Sequence, residues 1–249
     1  MIRRAATATF LVALALGLSS QTGAAPTQIN SCQSLLAGSY VLTANLPSSG
    51  DCLVVGANFV SIDLDGFKIT ATSPGTGRGI TDGGEARLGI AVRGGTVENF
   101  WKGVDLEHTT GAVVEEMRVF GSADTGMRVG GDSLVRGNVA HGNAIGISAG
   151  ANSLVTGNTA SANRLGVSVF HGDTVTENTA SQNSVTGISV IAESLVSNNT
   201  ASDNGTDGLV IDSCASGPSN VVANTALGNG LNNLNTFGVS GCQFVDNLN

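Results

Sequence analysis

Asp105, Glu107, His108 and Arg128 are the residues of this chain whose types and spacing suit acid–base work on a charged sugar. Asp105 and Glu107 alternate within one strand-like run, so their side chains point the same way. Eliminating across a uronic acid requires its carboxylate to be neutralised, often by a cation that acidic residues hold, and a base to remove the ring proton. Asp105, Glu107 and Arg128 are the candidate catalytic set, with His108 beside them as a binding residue. The competing reading is ion pairing between neighbouring strands, Arg93–Glu115–Arg136 and Asp105–Arg128, each contact contributing roughly 0.2–1 kcal/mol. Trp101, the single tryptophan, follows Phe100 and is either a sugar platform or part of a turn packed on the chain. Thr159-x-Ser161, Thr179-x-Ser181 and Thr200-x-Ser202 form an array of hydroxyls suited to a glycan or to ordered water, or simply to an exposed strand face. His141 and His171 read as surface residues, and no histidine spacing suits a metal.

The elements that must carry these residues are short and repeated. Five asparagines are each followed by another five positions later: Asn138/Asn143, Asn158/Asn163, Asn178/Asn183, Asn199/Asn204 and Asn224/Asn229. The first members stand 20, 20, 21 and 25 residues apart. A period near 20, with two strand-like runs and no room for a long helix, describes a wound solenoid. Two apolar columns follow from the alignment. Val92, Val114, Val135, Val155, Val175, Val196 and Val221 form one; Ile80, Val104, Met127, Ile147, Val167, Ile188 and Leu209, each after a glycine, form the other. Stacking at about 4.8 Å places like residues over like, so Asn138, Asn158, Asn178, Asn199 and Asn224 are expected to face inward as an amide ladder. Ala160, Ala180, Ala201 and Ala226 are expected to point inward beside them. The second asparagines and nearby glycines are assigned to corners that need positive φ. Gly95 and Met117 replace the asparagine in earlier, degenerate coils, and segment 72–88, rich in Gly, Ser and Thr, is expected to project as a loop.

Composition agrees with a narrow solenoid. Of 249 residues only 4% are aromatic and 12% charged, too few rings for an ordinary globular core. A net charge of −8 with lysine only at 68 and 102 argues against nucleic acid. Arg3 and Arg4, the apolar run from Ala5 to Leu18 and the small residues Gly23-Ala24-Ala25 read as a secretion signal over residues 1–25, too short to span a membrane. Residues 26–249 then form one exported domain, secreted or periplasmic. Cys32, Cys52, Cys214 and Cys242 all lie in it and are expected to pair as Cys32–Cys52 and Cys214–Cys242, stapling the two ends.

The phrase Ser-Leu-Val-x-Gly-Asn-Thr-Ala-x-x-Asn-x-x-Gly-Val-x-Val, clearest over 153–169, resembles the repeats of the pectate-lyase-like superfamily. So do the opening segments from Gly38 to Thr43 and Ile62 to Thr70. The resemblance implies an all-β right-handed parallel β-helix, here of roughly nine coils. It carries over no catalytic residue: Arg-x-Pro-x-x-Arg, Asn-Thr-Asp, Asp-Asp, Gly-His-Asp and Asp-Pro-His are all missing, and His171-Gly172-Asp173 has the wrong order. The leading expectation is a monomeric exported module without a catalytic constellation, binding polysaccharide or serving a structural role at the surface. A lyase or hydrolase acting on acidic glycans is the second reading, and a hydroxyl-array binder of glycan or ice the third. No cofactor is expected; calcium has no motif.

Overall fold

The computed structural model describes residues 25–213, 218–237 and 241–248. Over those residues the chain is a parallel β-solenoid of about ten turns, right-handed as the family resemblance implies, with no helix. Each turn contributes short strands to three sheets. An eleven-stranded sheet runs from Thr27–Ile29 to Gln243–Val245 and a ten-stranded sheet from Gln33–Leu35 to Asn232–Asn235. A seven-stranded sheet runs from Leu46–Ser48 to Thr179–Ser181 and is prolonged by the bridges Thr179↔Thr200, Thr200↔Thr225 and Thr225↔Leu248. The register stacks Val92, Val114, Val135, Val155, Val175, Val196 and Val221 in one buried column. Ile80, Val104, Met127, Ile147, Val167, Ile188 and Leu209 form the facing one. Both are the columns read from the repeat.

The asparagine ladder runs through the interior. The side-chain amide of Asn138 donates to Asn158 Oδ1 at 3.0 Å, Asn158 to Asn178 at 2.9 Å, Asn178 to Asn199 at 3.0 Å and Asn199 to Asn224 at 2.9 Å. Each Oδ1 also accepts the backbone N–H of the asparagine one coil earlier. Each amide donates as well to the carbonyl of a column valine, as Asn178 does to Val155 at 2.8 Å. Backbone groups at a buried corner are thereby paired away from water.

The second asparagines depart from expectation. Asn143, Asn163, Asn183, Asn204 and Asn229 do not take the positive-φ corner; they build a second ladder with the same geometry, buried as far as Asn204 and partly exposed at Asn229. The left-handed positions are the residues immediately before each ladder member: Gly137, Gly157, Glu177, Asn198 and Ala223 at one corner, Gly142, Ala162, Gln182, Asp203 and Gly228 at the other. Room for two amides per coil comes from a narrowing of the core. The inward column of the seven-stranded sheet shrinks from Leu46, Ile69, Val97 and Val119 to Ala140, Ala160 and Ala180 where the ladders begin. A Cβ at Gly166 or Gly187 would stand 2.8 or 2.6 Å from a ladder amide nitrogen, which explains the glycine before the core residues Met127, Ile147, Val167, Ile188 and Leu209. Gly79 and Gly103, before the ladder begins, instead make room for Val97 and Val119.

A third corner is held by hydroxyls. Ser133 N–H donates to Ser153 Oγ, Ser153 N–H to Asp173 Oδ1, Asp173 N–H to Ser194 Oγ and Ser194 N–H to Ser219 Oγ. At the N-terminal end Cys32 and Cys52 are disulfide-bonded as expected. The Cys214–Cys242 bond and the signal segment fall, in part and almost wholly, outside the described residues. Segment 72–88 is not a projecting loop: Thr76–Thr81 is a central strand of the ten-stranded sheet, paired with Leu53–Val55 and Phe100–Leu106. Pairing on both sides overrides its loop-like composition.

Candidate functional site: a charged network beside a glycine-floored cleft

Asp105 lies on Phe100–Leu106, in register with Thr81 on one side and Arg128 of Thr125–Val129 on the other. Thr81 and Asp105 occupy an outward column, yet both are buried, Asp105 to 5% exposure. Arg78 and Lys102, paired with each other three residues earlier in the same strands, reach across to it. Lys102 Nζ is 3.3 Å and Arg78 Nη1 3.8 Å from Asp105 Oδ2. Arg78 is also bound to Asp51 at 2.6 Å, and Lys102 lies 3.9 Å from Glu107. Glu107 in turn holds Arg128 at 2.5 Å. Burial raises the Asp105 pKa, and Lys102 and Arg78 oppose the shift. Among the described residues its enclosed Oδ1 has no hydrogen-bond partner.

The pairing differs from the alternation expected. Arg128 bonds Glu107 rather than Asp105, and Arg93 bonds Asp63 at 2.7 Å, leaving Glu115 to Arg136 at 2.7 Å. Register offered Arg93 both Asp63 and Glu115, whereas Arg128 reaches past its register neighbour Asp105 to Glu107.

The next outward slot makes a cleft. In register it holds Glu107, Gly130, Gly150, Phe170 and Ile191, one per coil. Gly130 N–H bonds Leu106 O and Gly150 N–H bonds Val129 O, which fixes that order. Two successive glycines leave a gap between Glu107 and Phe170, three rungs or about 14 Å apart. The gap is a shallow cavity of about 270 Å³ lined by Glu107, Arg128, Ser148 and Phe170 over a floor of glycine. The floor tolerates no side chain: a Cβ on Gly130 would stand 2.4 Å from Thr109 O, and one on Gly150 2.7 Å from Gly131 N. Phe170 is 45% exposed and forms the aromatic wall.

Of the residues read from sequence, Asp105, Glu107 and Arg128 belong to one network, but only Glu107 and Arg128 line the cleft. Trp101 is about half exposed and stacks under Lys102 Nζ, 4.9 Å from its ring centre, while Phe100 is core. His108 is held by Asp82, whose carboxylate accepts the His108 backbone N–H at 2.8 Å and lies 3.6 Å from its ring Nδ1. Thr159, Thr179 and Thr200 form an exposed column on the seven-stranded sheet, a different face. His141 packs edge-on to Phe120 and bonds Ser161. Sequence reasoning missed Phe170, Gly130, Gly150 and the bridging role of Lys102 and Arg78. The interruption of one outward column by two glycines was the available signal.

A family model described as "Periplasmic copper-binding protein (NosD)" matches residues 88–248, about two thirds of the chain. The chain belongs to this family. The family description and the Cys32–Cys52 disulfide place it outside the reducing cytoplasm, secreted or periplasmic. None of the curated proteins matches it. Among solved structures it is similar to the A-module of the Azotobacter vinelandii mannuronan C-5 epimerase AlgE4, at 20% identity and a TM-score of 0.68, covering 89% of this chain and 68% of that one. The periplasmic alginate epimerase AlgG gives 16% and 0.59, covering 86% and 60%. The Dettilon tailspike protein gives 12% and 0.61, covering 84% and 55%. At these identities the likeness is one of fold. The chain spans only 55–68% of those three structures.

Proposed function

We propose that this NosD-family chain is an exported glycan-binding module whose binding site is the cleft between Glu107 and Phe170. The observation that carries this reading is the glycine floor between an aromatic wall and a fixed polar rim. A sugar ring can lay its C–H face on Phe170 while Arg128, Glu107 and Ser148 meet its hydroxyls. At about 270 Å³ the space suits roughly one ring, below the ~300–1,000 Å³ of pockets for drug-sized ligands. Polysaccharide is also the material named for two of the structural neighbours, the mannuronan and alginate epimerases.

Binding without turnover is favoured because the acid–base candidates are engaged. Asp105 is buried against Lys102 and Arg78 and is closed to a ring proton, and Glu107, though it lines the cleft, is paired with Arg128, which makes it a poor base. The copper named in the family description does not fit these residues. Among the described residues no three His, Cys, Asp or Glu side chains are grouped to hold an ion, and Cys32 and Cys52 are spent in a disulfide.

A glycan array followed by calorimetry tests the reading. Phe170→Ala is expected to weaken binding about tenfold, the ~1.4 kcal/mol of one aromatic contact. An unchanged affinity, or no glycan bound by the wild type, refutes it. An ultraviolet assay for unsaturated uronate run alongside is expected to stay flat; new absorbance abolished by Arg128→Ala would instead establish a lyase.

A further inference from the structure

We infer that the cleft selects a neutral hexose unit and rejects uronates, an inference that rests on the glycan-binding reading above. The argument is one of charge. Asp51, Arg78, Asp105, Lys102, Glu107 and Arg128 form a continuous chain in which every cation already faces an acid. Three acids match three bases. Asp82, buried behind the network and adding its own negative field to Asp105, tips the local balance to the acidic side. Among the described residues Arg128 is the one cation lining the cleft, and its guanidinium is bound to Glu107 at 2.5 Å.

A uronate carboxylate entering this space would have to take Arg128 from Glu107 and leave that carboxylate beside its own. Like charges at such range are unfavourable, and the cost grows as water is excluded. A polyuronate would also approach a protein of net charge −8, which opposes encounter at low salt. A neutral ring meets none of this. Its hydroxyls donate and accept at once, and the rim offers donors on Arg128, acceptors on Glu107 and both on Ser148. The ion pair holds the two long side chains in place beforehand, so less rotamer entropy is lost on binding. The acidity that makes the site look suited to uronate chemistry in sequence is, once paired, what excludes a uronate.

The experiment is calorimetry of the whole exported chain with neutral hexose oligosaccharides and with oligouronates of equal length, at low and at moderate salt. Binding of a neutral oligosaccharide, at least tenfold tighter than any oligouronate and nearly independent of salt, is the expected result. Glu107→Gln, which frees the Arg128 charge, is expected to narrow that preference by raising uronate affinity. Salt-sensitive uronate binding by the wild type, with neutral sugars weaker, overturns the inference while leaving the glycan-binding reading intact. Binding of neither class overturns both.

Discussion

Replacing Asn178 by alanine should destabilise the protein by about 3–5 kcal/mol. The side chain is 1% exposed and has five hydrogen-bond contacts, its two N–H groups being shared among three acceptors. It donates to Val155 O, Thr176 O and Asn199 Oδ1, and accepts from the backbone N–H and the side-chain amide of Asn158. Alanine leaves the Asn158 N–H and part of its amide in a dry interior, where each orphaned group costs about 1–3 kcal/mol. It also opens a cavity between two coils. Asn178→Asp separates hydrogen bonding from packing, because it conserves volume. An ionised aspartate still accepts from Asn158 but cannot donate, and it would set its charge against Val155 O and Asn199 Oδ1. It should therefore be at least as damaging as alanine near neutral pH. Urea unfolding of the three proteins measures this; a mild aspartate phenotype beside a severe alanine one would show that space, not the amide ladder, holds the coils together.

The ladder also marks how far the sequence could be read. The column valines and the first asparagines repeat in register, and stacking permits one inward face for them, so their positions followed from spacing. The second asparagines were ambiguous for a physical reason. Asparagine tolerates positive φ better than most residues and also forms amide ladders, and spacing alone does not separate the two roles. The glycine one residue before each of Ile147, Val167 and Ile188 is what admits the second amide, but Gly79 and Gly103 hold the same slot where no ladder exists, so it did not separate the two roles in sequence. Ion-pair partners were illegible in another way. Register placed Arg93 between Asp63 and Glu115, and the choice depends on rotamers that the repeat does not constrain. The cleft was hidden by composition. In a chain with 35 glycines, Gly130 and Gly150 look like further turn residues, and Phe170 looks like an isolated apolar side chain. Only a count of rungs from Glu107 to Phe170 turns them into a floor and a wall.

Asp173 is expected to make the protein less stable as pH rises from about 4 to 8, by ~3 kcal/mol from this group alone. It stands in a column otherwise made of Ser133, Ser153, Ser194 and Ser219. Those serines use their hydroxyls twice. Each Oγ accepts an N–H from the coil before, and Ser133, Ser153 and Ser194 also donate to a carbonyl just upstream: Gly130 O at 2.8 Å, Gly150 O at 2.7 Å and Ala192 O at 2.7 Å. An ionised Asp173 fills the first role through Oδ1, but it has no proton for the second, and its buried Oδ2 has no well-aligned hydrogen-bond partner among the described residues, only the backbone N–H of Phe170 nearby. Burial pushes its pKa from the ordinary 3.8 up to about 6, although the Ser153 N–H, the nearby His171 and the Phe170 N–H pull the other way. Between those values the folded state holds a proton that the unfolded chain has released. The stabilisation is thus complete below pH 3.8 and is lost as pH climbs through about 6. Asp173→Ser restores the two-way hydroxyl and removes the titration. Compared with the wild type by urea unfolding across this range, it should gain ~2–3 kcal/mol near pH 8 and almost nothing near pH 4. A difference that does not change with pH would mean the carboxylate stays charged when folded and that the strain at this corner has another origin. The corner matters beyond stability, because Asp173 closes the turn that begins at Phe170. If the wall of the cleft is set by that turn, the serine variant should leave glycan affinity unchanged near pH 5 and differ from the wild type only where Asp173 carries its charge.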